Sequence, residues 1–152
     1  MMKLNSLFNP RSIAVIAASD KKGSVGYALM DNLINSDYKG IVYPVNNKHE
    51  SVHSIRAYDS VKEIGDKIDL AIIATPAVTV PAVIKECGEA GVSGIVVISA
   101  GFSEIGKKGE EMSQEILDLA RKYDMRVVGP NCLGFIRPSL HLNASFASQM
   151  AL

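Results

Sequence analysis

A surplus of charge is the first thing this sequence lacks. Sixteen Lys and Arg stand against 16 Asp and Glu, a formal net charge of zero. No overall field therefore draws the chain to nucleic acid or to an anionic membrane surface, and any anion site has to be local. Cysteine is scarce as well. Cys87 and Cys132 lie far apart with no CxxC or Cys/His spacing, which argues against a zinc site, gives no disulfide framework and points to a reducing, cytoplasmic compartment. No segment approaches the roughly 20 apolar residues of a membrane span. The opening MMKLNSLFNPRSIAVIAAS resembles a secretory leader in having a lysine ahead of an apolar run. The run from Ile13 to Ala18 is too short for a leader core, however, and Asn9, Pro10 and Arg11 interrupt what precedes it.

The last absence is an acid. An apolar strand, SIAVIAAS, runs into the glycine-punctuated turn DKKGSVG and then a helix, the order of a phosphate cradle. In dinucleotide-binding units the next strand usually ends in an Asp or Glu that accepts from ribose hydroxyls. Here it ends in PVNNK, with Asn46, Asn47 and Lys48 in that place. A lysine and two amides suit a ribose that carries its own phosphate, as in coenzyme A or NADP, better than the free hydroxyls of NAD.

What is present is an alternation. The chain of 152 residues is 47% apolar and 21% charged, which fits one globular domain with a real core. Runs from Ile13, Ile41, Leu70 and Gly94 are continuously apolar, as strands buried on both faces are, and a shorter run from Arg126 extends the set. Helical spacing falls between them, from Ser24 to Asn35, from Val80 to Ala90 and from Lys107 to Tyr123. The second of these has Thr79 as N-cap, Pro81 in its first turn and Gly91 past its end. In the third, Met112, Ile116, Leu119, Ala120 and Tyr123 share a face. Glu110 and Glu111 open it, and Arg121 and Lys122 close it, in keeping with the helix dipole. Cys87 falls on a buried helix face and reads as core. The stretch from His49 to Asp66 predicts only a short strand at Ser54 to Tyr58, and Ser139 to Leu152 predicts no element. The fold class is therefore α/β, a Rossmann-like doubly wound and mainly parallel sheet with helices on both faces.

In such sheets ligands bind beyond the carboxyl ends of the strands. That rule selects Ser19 to Gly26, Asn46 to Lys48, Thr75 with Pro76, Ser99 to Gly101, and Gly129 to Gly134, all expected on one edge. Gly23 and Gly26 would let backbone approach a phosphate, with Lys21 or Lys22 adding charge; the alternative is an ordinary surface turn, since Ala17 breaks the full GxGxxG pattern. Pro76 and Thr75 could pack a base or ribose, or simply shape a loop. The segment around Gly101 either offers backbone amides to a ligand or is an ordinary helix-entry loop, and Lys48, apart from its pairing with the missing acid, would read as a solvated charge. Cys132, in GPNCLG, is either near a ligand or a small residue in a tight turn.

Taken in order, IAVIAAS, KKGSVGYALMDNL, GIVYPVNNK, DLAIIATPAVTVPAVIKECGEAGV, GIVVISAGFSE and VVGPNCLGF resemble the N-terminal CoA-binding domain of the NDP-forming acyl-CoA synthetases. That family includes the ADP-forming acetate-CoA ligases and, more distantly, the alpha subunit of succinyl-CoA synthetase. The resemblance covers about Leu7 to Ala147. It implies that the loop of Ser19, Lys22, Gly23, Ser24 and Val25 holds the CoA phosphates, and that Lys48 contacts the nucleotide end. It implies further that Ser99, Ala100 and Gly101 touch CoA and that Asn131 and Cys132 lie near its thiol. Ala17 departs from the glycine usual in relatives.

The family reaction joins an acid to CoA with NTP hydrolysis to NDP and phosphate, through a phosphohistidine in a later domain and an ATP-grasp domain or subunit. His49, His53 and His141 match no such position and read as surface residues. Residues 1–152 are thus expected to be the CoA-binding domain of a larger ligase, not catalytic alone. Its implied partners are CoA and the remaining synthetase domains or an ATP-grasp subunit, with no nucleic acid, membrane or metal. A stand-alone CoA-binding regulatory module and an NADP-binding oxidoreductase domain are the alternatives.

Overall fold

The continuous apolar runs become strands because each buries alternate residues against a different helical layer. The computed structural model describes residues 2–148. Five parallel strands, β1 (Ser12–Ile16), β2 (Ile41–Val45), β5 (Leu70–Ile73), β6 (Gly94–Val97) and β7 (Arg126–Val128), form one sheet in the order β2-β1-β5-β6-β7. The register pairs Ile13 with Val42 and Leu70, and Ile73 with Val97, so the strand ends stay level and all five carboxyl-end segments share one edge. From β1 the chain moves outward to β2, then returns to place β5 on the other side of β1. The reversal leaves a crevice between the ends of β1 and β5.

Ile13, Val15, Leu70, Ile72 and Val96 face one layer, where they meet Leu29, Met30 and Leu33 of helix α2 (Val25–Asn35) and Leu7 of α1 (Met2–Phe8). Ala14, Ile16, Ala71, Ile73, Ile95 and Val97 face the other. There they meet Ile84 and Cys87 of α3 (Val80–Glu89), Ile116 of α4 (Lys107–Lys122) and Phe102. Cys87 is fully buried, as its helical position predicts. Among the described residues no helix is long and apolar enough to cross a membrane.

The helices fall where the spacing placed them, with adjusted ends. Ser24 caps α2 rather than opening it, accepting from the Tyr27 amide at 3.1 Å. Thr79 precedes α3 but gives no side-chain cap; its hydroxyl donates to the Pro76 carbonyl at 2.6 Å and tightens the preceding 3-10 turn. Within α4 only Glu110 of the two acids lies in the first turn.

Two segments correct the sequence reading. The region around His53 is not one strand but a small antiparallel hairpin, β3 (Ser51–Val52) and β4 (Ile55–Arg56), whose turn residues His53 and Ser54 take the left-handed φ values of 50° and 62°. Tyr58 then bridges Val45 beside it. The tail after Ser139, expected to be featureless, contains β9 (Leu142–Ser145), which pairs antiparallel with β8 (Gly134–Arg137) and packs on α2. The final residues 149–152, including the pair Ala151 and Leu152, lie outside the described residues.

Candidate functional site

The strand-end segments surround the crevice. On the α3 side, Ser19, Lys48, Thr75 and Pro76 line a cavity of about 450 Å³, floored by Ile16 and Val45. On the α2 side, Val25, Ser99, Ala100, Asn131 and Cys132 line a groove of about 390 Å³ with Ala74 and Ile98. The two spaces flank the end of β5, where Ala74 faces the groove and Thr75 the cavity. The Ser99 hydroxyl donates to the Thr75 carbonyl at 2.5 Å and ties the end of β6 to that of β5.

The glycine turn closes the β1 end. Ala17 leaves the strand with φ of 77°, a conformation an L side chain resists, and its carbonyl points at Gly26, where a Cβ would sit 1.9 Å from the oxygen. This backbone contact seats the start of α2 on the strand end. It explains both the glycine at 26 and the strain that Ala17 carries where a glycine would relax. Ser24 turns inward: its hydroxyl donates to the Lys21 carbonyl at 2.7 Å while accepting from Tyr27, so it builds the turn instead of offering a free hydroxyl. Among the described residues no protein acceptor takes the amides of Gly23, Val25 or Gly26. Unpaired amides at the N-terminus of a three-turn helix, next to Lys21 and Lys22, are donors of the kind that suits an anion.

Asn46 is structural, donating from Nδ2 to the Ala18 carbonyl and accepting from the Lys48 amide, both at 2.8 Å. That bracket fixes the turn that carries Lys48 into the cavity wall. Two acids that do not come from the end of β2 line the same cavity: Asp59, from the loop after the hairpin, and Glu86, from α3. Sequence reasoning missed both. Asp59 lies in the least readable stretch, just past the short strand expected at Ser54 to Tyr58, and Glu86 sits on a helix among other charges. Beside them Thr75 holds a buried hydroxyl with no protein partner.

Gly101 is used differently from expectation. Its amide donates at 2.5 Å to the carboxylate of Glu104 rather than being left open. Backbone donors, that of Gly101 foremost, hold the Glu104 carboxyl below its ordinary range. Asn131 and Cys132 reach the groove because Gly129 crosses the end of β6 so closely that a Cβ there would lie 2.3 Å from the Val97 carbonyl. The Cys132 thiol donates to that same carbonyl at 3.2 Å, and burial pushes it up from the usual thiol range. Leu133 and Phe146, both substantially exposed, complete the rim of the groove.

His49 and His141 are exposed, as read. His53 is not. Its side chain is 15% exposed, packed on the Tyr27 ring at 5.0 Å and on Asp20 of the glycine turn. No group of three or more potential metal ligands occurs among the described residues.

A parallel sheet with a crevice at its reversal, a helix N-terminus with free amides and two spaces at the strand ends define the doubly wound class, in which nucleotides and coenzymes bind at that edge. The family is narrower. Residues 11–138 match the model of the CoA binding domain family, and the chain belongs to that family. It is 46% identical, over 95% of its length, to the alpha subunit of acetate–CoA ligase [ADP-forming] I of Pyrococcus furiosus, and spans 32% of that subunit. It is 45% identical to acetate–CoA ligase [ADP-forming] of Methanocaldococcus jannaschii, again over 95% of its length, spanning 20% of that protein. Among solved structures, a dinucleotide-forming acetyl-coenzyme A synthetase 1 from Ca. Korarchaeum cryptofilum, in complex with phosphate and ADP, superposes with a TM-score of 0.94. That match has 39% identity over the whole chain and 32% of the synthetase chain. The chain thus spans about a fifth to a third of the length of these relatives.

Proposed function

We propose that this chain binds coenzyme A across the crevice and serves as the CoA-binding domain of an ADP-forming acyl-CoA synthetase, without turnover of its own. In this reading the pyrophosphate lies on the free amides of the Ser19–Gly26 turn. The adenosine enters the α3-side cavity, with Lys48 at its 3′-phosphate and Thr75 and Pro76 against the sugar and base. The pantetheine arm passes Ser99 and Ala100 into the α2-side groove, toward Asn131 and Cys132.

The observation that carries the reading is the pair of spaces on either side of the β5 end, one lined by Ser19 and the other by Val25 of the same glycine turn. CoA has the matching parts: a charged nucleotide, a pyrophosphate and a long, largely apolar arm. The ligase chemistry requires a nucleotide site and a phosphoryl carrier, and no histidine among the described residues projects into either space. Those functions belong to further domains or a partner subunit.

The test is calorimetric titration with CoA, dephospho-CoA and NADP. CoA is expected to bind most tightly. Lys48→Ala is expected to weaken CoA about tenfold, the scale of one charge-assisted contact at a partly exposed site, and to leave dephospho-CoA nearly unchanged. Binding of NADP without CoA would replace this reading with that of a reductase domain.

A further inference from the structure

The α3-side cavity contains an acceptor that the protein itself leaves unused. Glu86 stands on α3 one helical turn after Val83, so the two share a face, and both line the space together with Val61 and Pro76. Glu86 is half-buried, and among the described residues its carboxylate takes part in no hydrogen bond or ion pair. Lys62, the cation whose charge reaches it, gives its ammonium to Glu89 at 2.9 Å instead. Thr75 supplies the complementary group. Its hydroxyl is buried at the end of β5, in the wall of the same cavity, and has no protein partner. A buried hydroxyl left unpaired costs free energy that a ligand atom can restore.

An acceptor and a donor set among apolar walls meet the requirements for reading a purine edge. Val61, Val83 and Pro76 offer apolar surface to the faces of a flat ring, whose polar edge then needs partners in its own plane. Adenine presents an exocyclic amino donor beside a ring-nitrogen acceptor, whereas an oxopurine presents an acceptor oxygen where the amino group would be. A carboxylate only accepts, so it matches the amino group and opposes the oxygen. Asp59 lines the cavity too, but it is exposed and also lines the adjoining polar space with Lys48, Arg56 and Glu63. That sets it on the boundary of the two spaces, beside the lysine read as the phosphate contact. Glu86 lines the α3-side cavity alone.

Resting on the CoA reading above, we propose that Glu86 is a specificity-determining residue that accepts a hydrogen bond from the exocyclic amino group of the adenine, with the Thr75 hydroxyl donating to the adjacent ring nitrogen. The cavity then selects adenine over an oxopurine.

The experiment is calorimetric titration of the chain with four probes: CoA, deamino-CoA, in which an oxo group replaces the amino group, and adenosine and inosine 3′,5′-bisphosphates. CoA is expected to bind about thirtyfold more tightly than deamino-CoA, within the range for a two-point reading of one base. In Glu86→Gln the amide donates as well as accepts, so deamino-CoA is expected to gain about threefold and CoA to lose about threefold. A gain for one ligand separates this outcome from a variant that merely folds poorly. Thr75→Val keeps the branched shape without the unpaired hydroxyl. The free variant is expected to hold or raise its urea midpoint while its CoA binding weakens about fivefold. Equal binding of CoA and deamino-CoA by the unmodified chain would overturn the proposal and leave the CoA reading standing, and so would a preference for CoA that survives Glu86→Gln. If CoA fails to bind while the adenosine bisphosphate is preferred to the inosine one, and Glu86→Gln abolishes that preference, base selection stands and the CoA reading falls. Binding of none of the probes removes both.

Discussion

Ala17 and Gly26 set the site's geometry at the scale of single residues. Ala17 holds a left-handed φ of 77°, and its carbonyl occupies the space a side chain at 26 would need. The two positions therefore respond oppositely to the same exchange. Gly26→Ala forces a methyl onto a backbone oxygen that cannot rotate away, and is expected to lower stability by about 3 kcal/mol, the upper range of overpacking. Ala17→Gly relieves roughly 1 kcal/mol of left-handed strain but loosens the unfolded chain, so a gain of about 0.5 kcal/mol is expected. Urea unfolding of both variants checks the pair, and a stable Gly26→Ala would show that α2 is not seated on this carbonyl. The thiols differ for a related reason. Burial, with Glu86 adding to it, pushes Cys87 up to about 12, and Cys132 is raised less by its partial burial. Iodoacetamide near pH 8 is expected to modify Cys132 slowly and Cys87 only in denaturant, as mass spectrometry would show, with CoA slowing the former if its arm fills the groove.

Between elements, the least legible contact is the one that closes the α2 layer. Asn32 on α2 donates from Nδ2 to the carbonyls of Ser145 and Ala147, both at 2.8 Å, and so anchors β9 from a position 113 residues away. Asn32→Ala leaves those acceptors without their partner and is expected to cost about 2 kcal/mol, read as a lower urea midpoint. Asn32→Asp should cost more, because a carboxylate would face two carbonyl oxygens. Nothing local announces this arrangement. The strand LNAS buries Asn143 and Ser145, which satisfy one another through a 2.6 Å hydrogen bond, so residues that read as surface are core. The sheet strands were legible for the converse reason, since burial on both faces writes itself as an unbroken apolar run. The strand-end rule likewise located Ser19, Lys48, Thr75, Ser99 and Cys132, because parallel register alone brings them to one edge. It could not find Asp59 or Glu86, which arrive from a loop and a helix flank, or the His53 contact, which depends on a hairpin of two-residue strands.

Across the described residues, three protons whose groups are raised to about 12 are held more tightly in the folded chain than in the unfolded one, and they sit in both layers and on the edge strand. Tyr43 on β2 donates to Asp66 Oδ2 at 2.7 Å; that bond, with burial and nearby charge, pushes the phenol up to about 12. Burial, with the Asp69 charge behind it, raises Tyr38 to about 12, and its hydroxyl donates to the Pro10 carbonyl at 2.9 Å. Cys87 in α3 is the third, also raised to about 12. Each raised group favours the folded state fully below its ordinary range and loses that contribution as pH climbs toward the folded value. Stability should therefore be flat through neutrality, begin to fall near pH 9 as the unfolded thiol ionises, and steepen between about pH 10 and 12 as the unfolded phenols follow. Tyr43→Phe removes one of the three linked protons. It is expected to cost about 1 kcal/mol at pH 7 through the lost hydrogen bond, yet to flatten the alkaline decline, so the two stability curves converge as pH rises. Urea unfolding of both proteins from pH 7 to 11 measures this directly. Parallel curves would mean that the Tyr43 phenol ionises as readily in the folded chain as in the unfolded one, and that its bond to Asp66 does not hold the edge strand in solution.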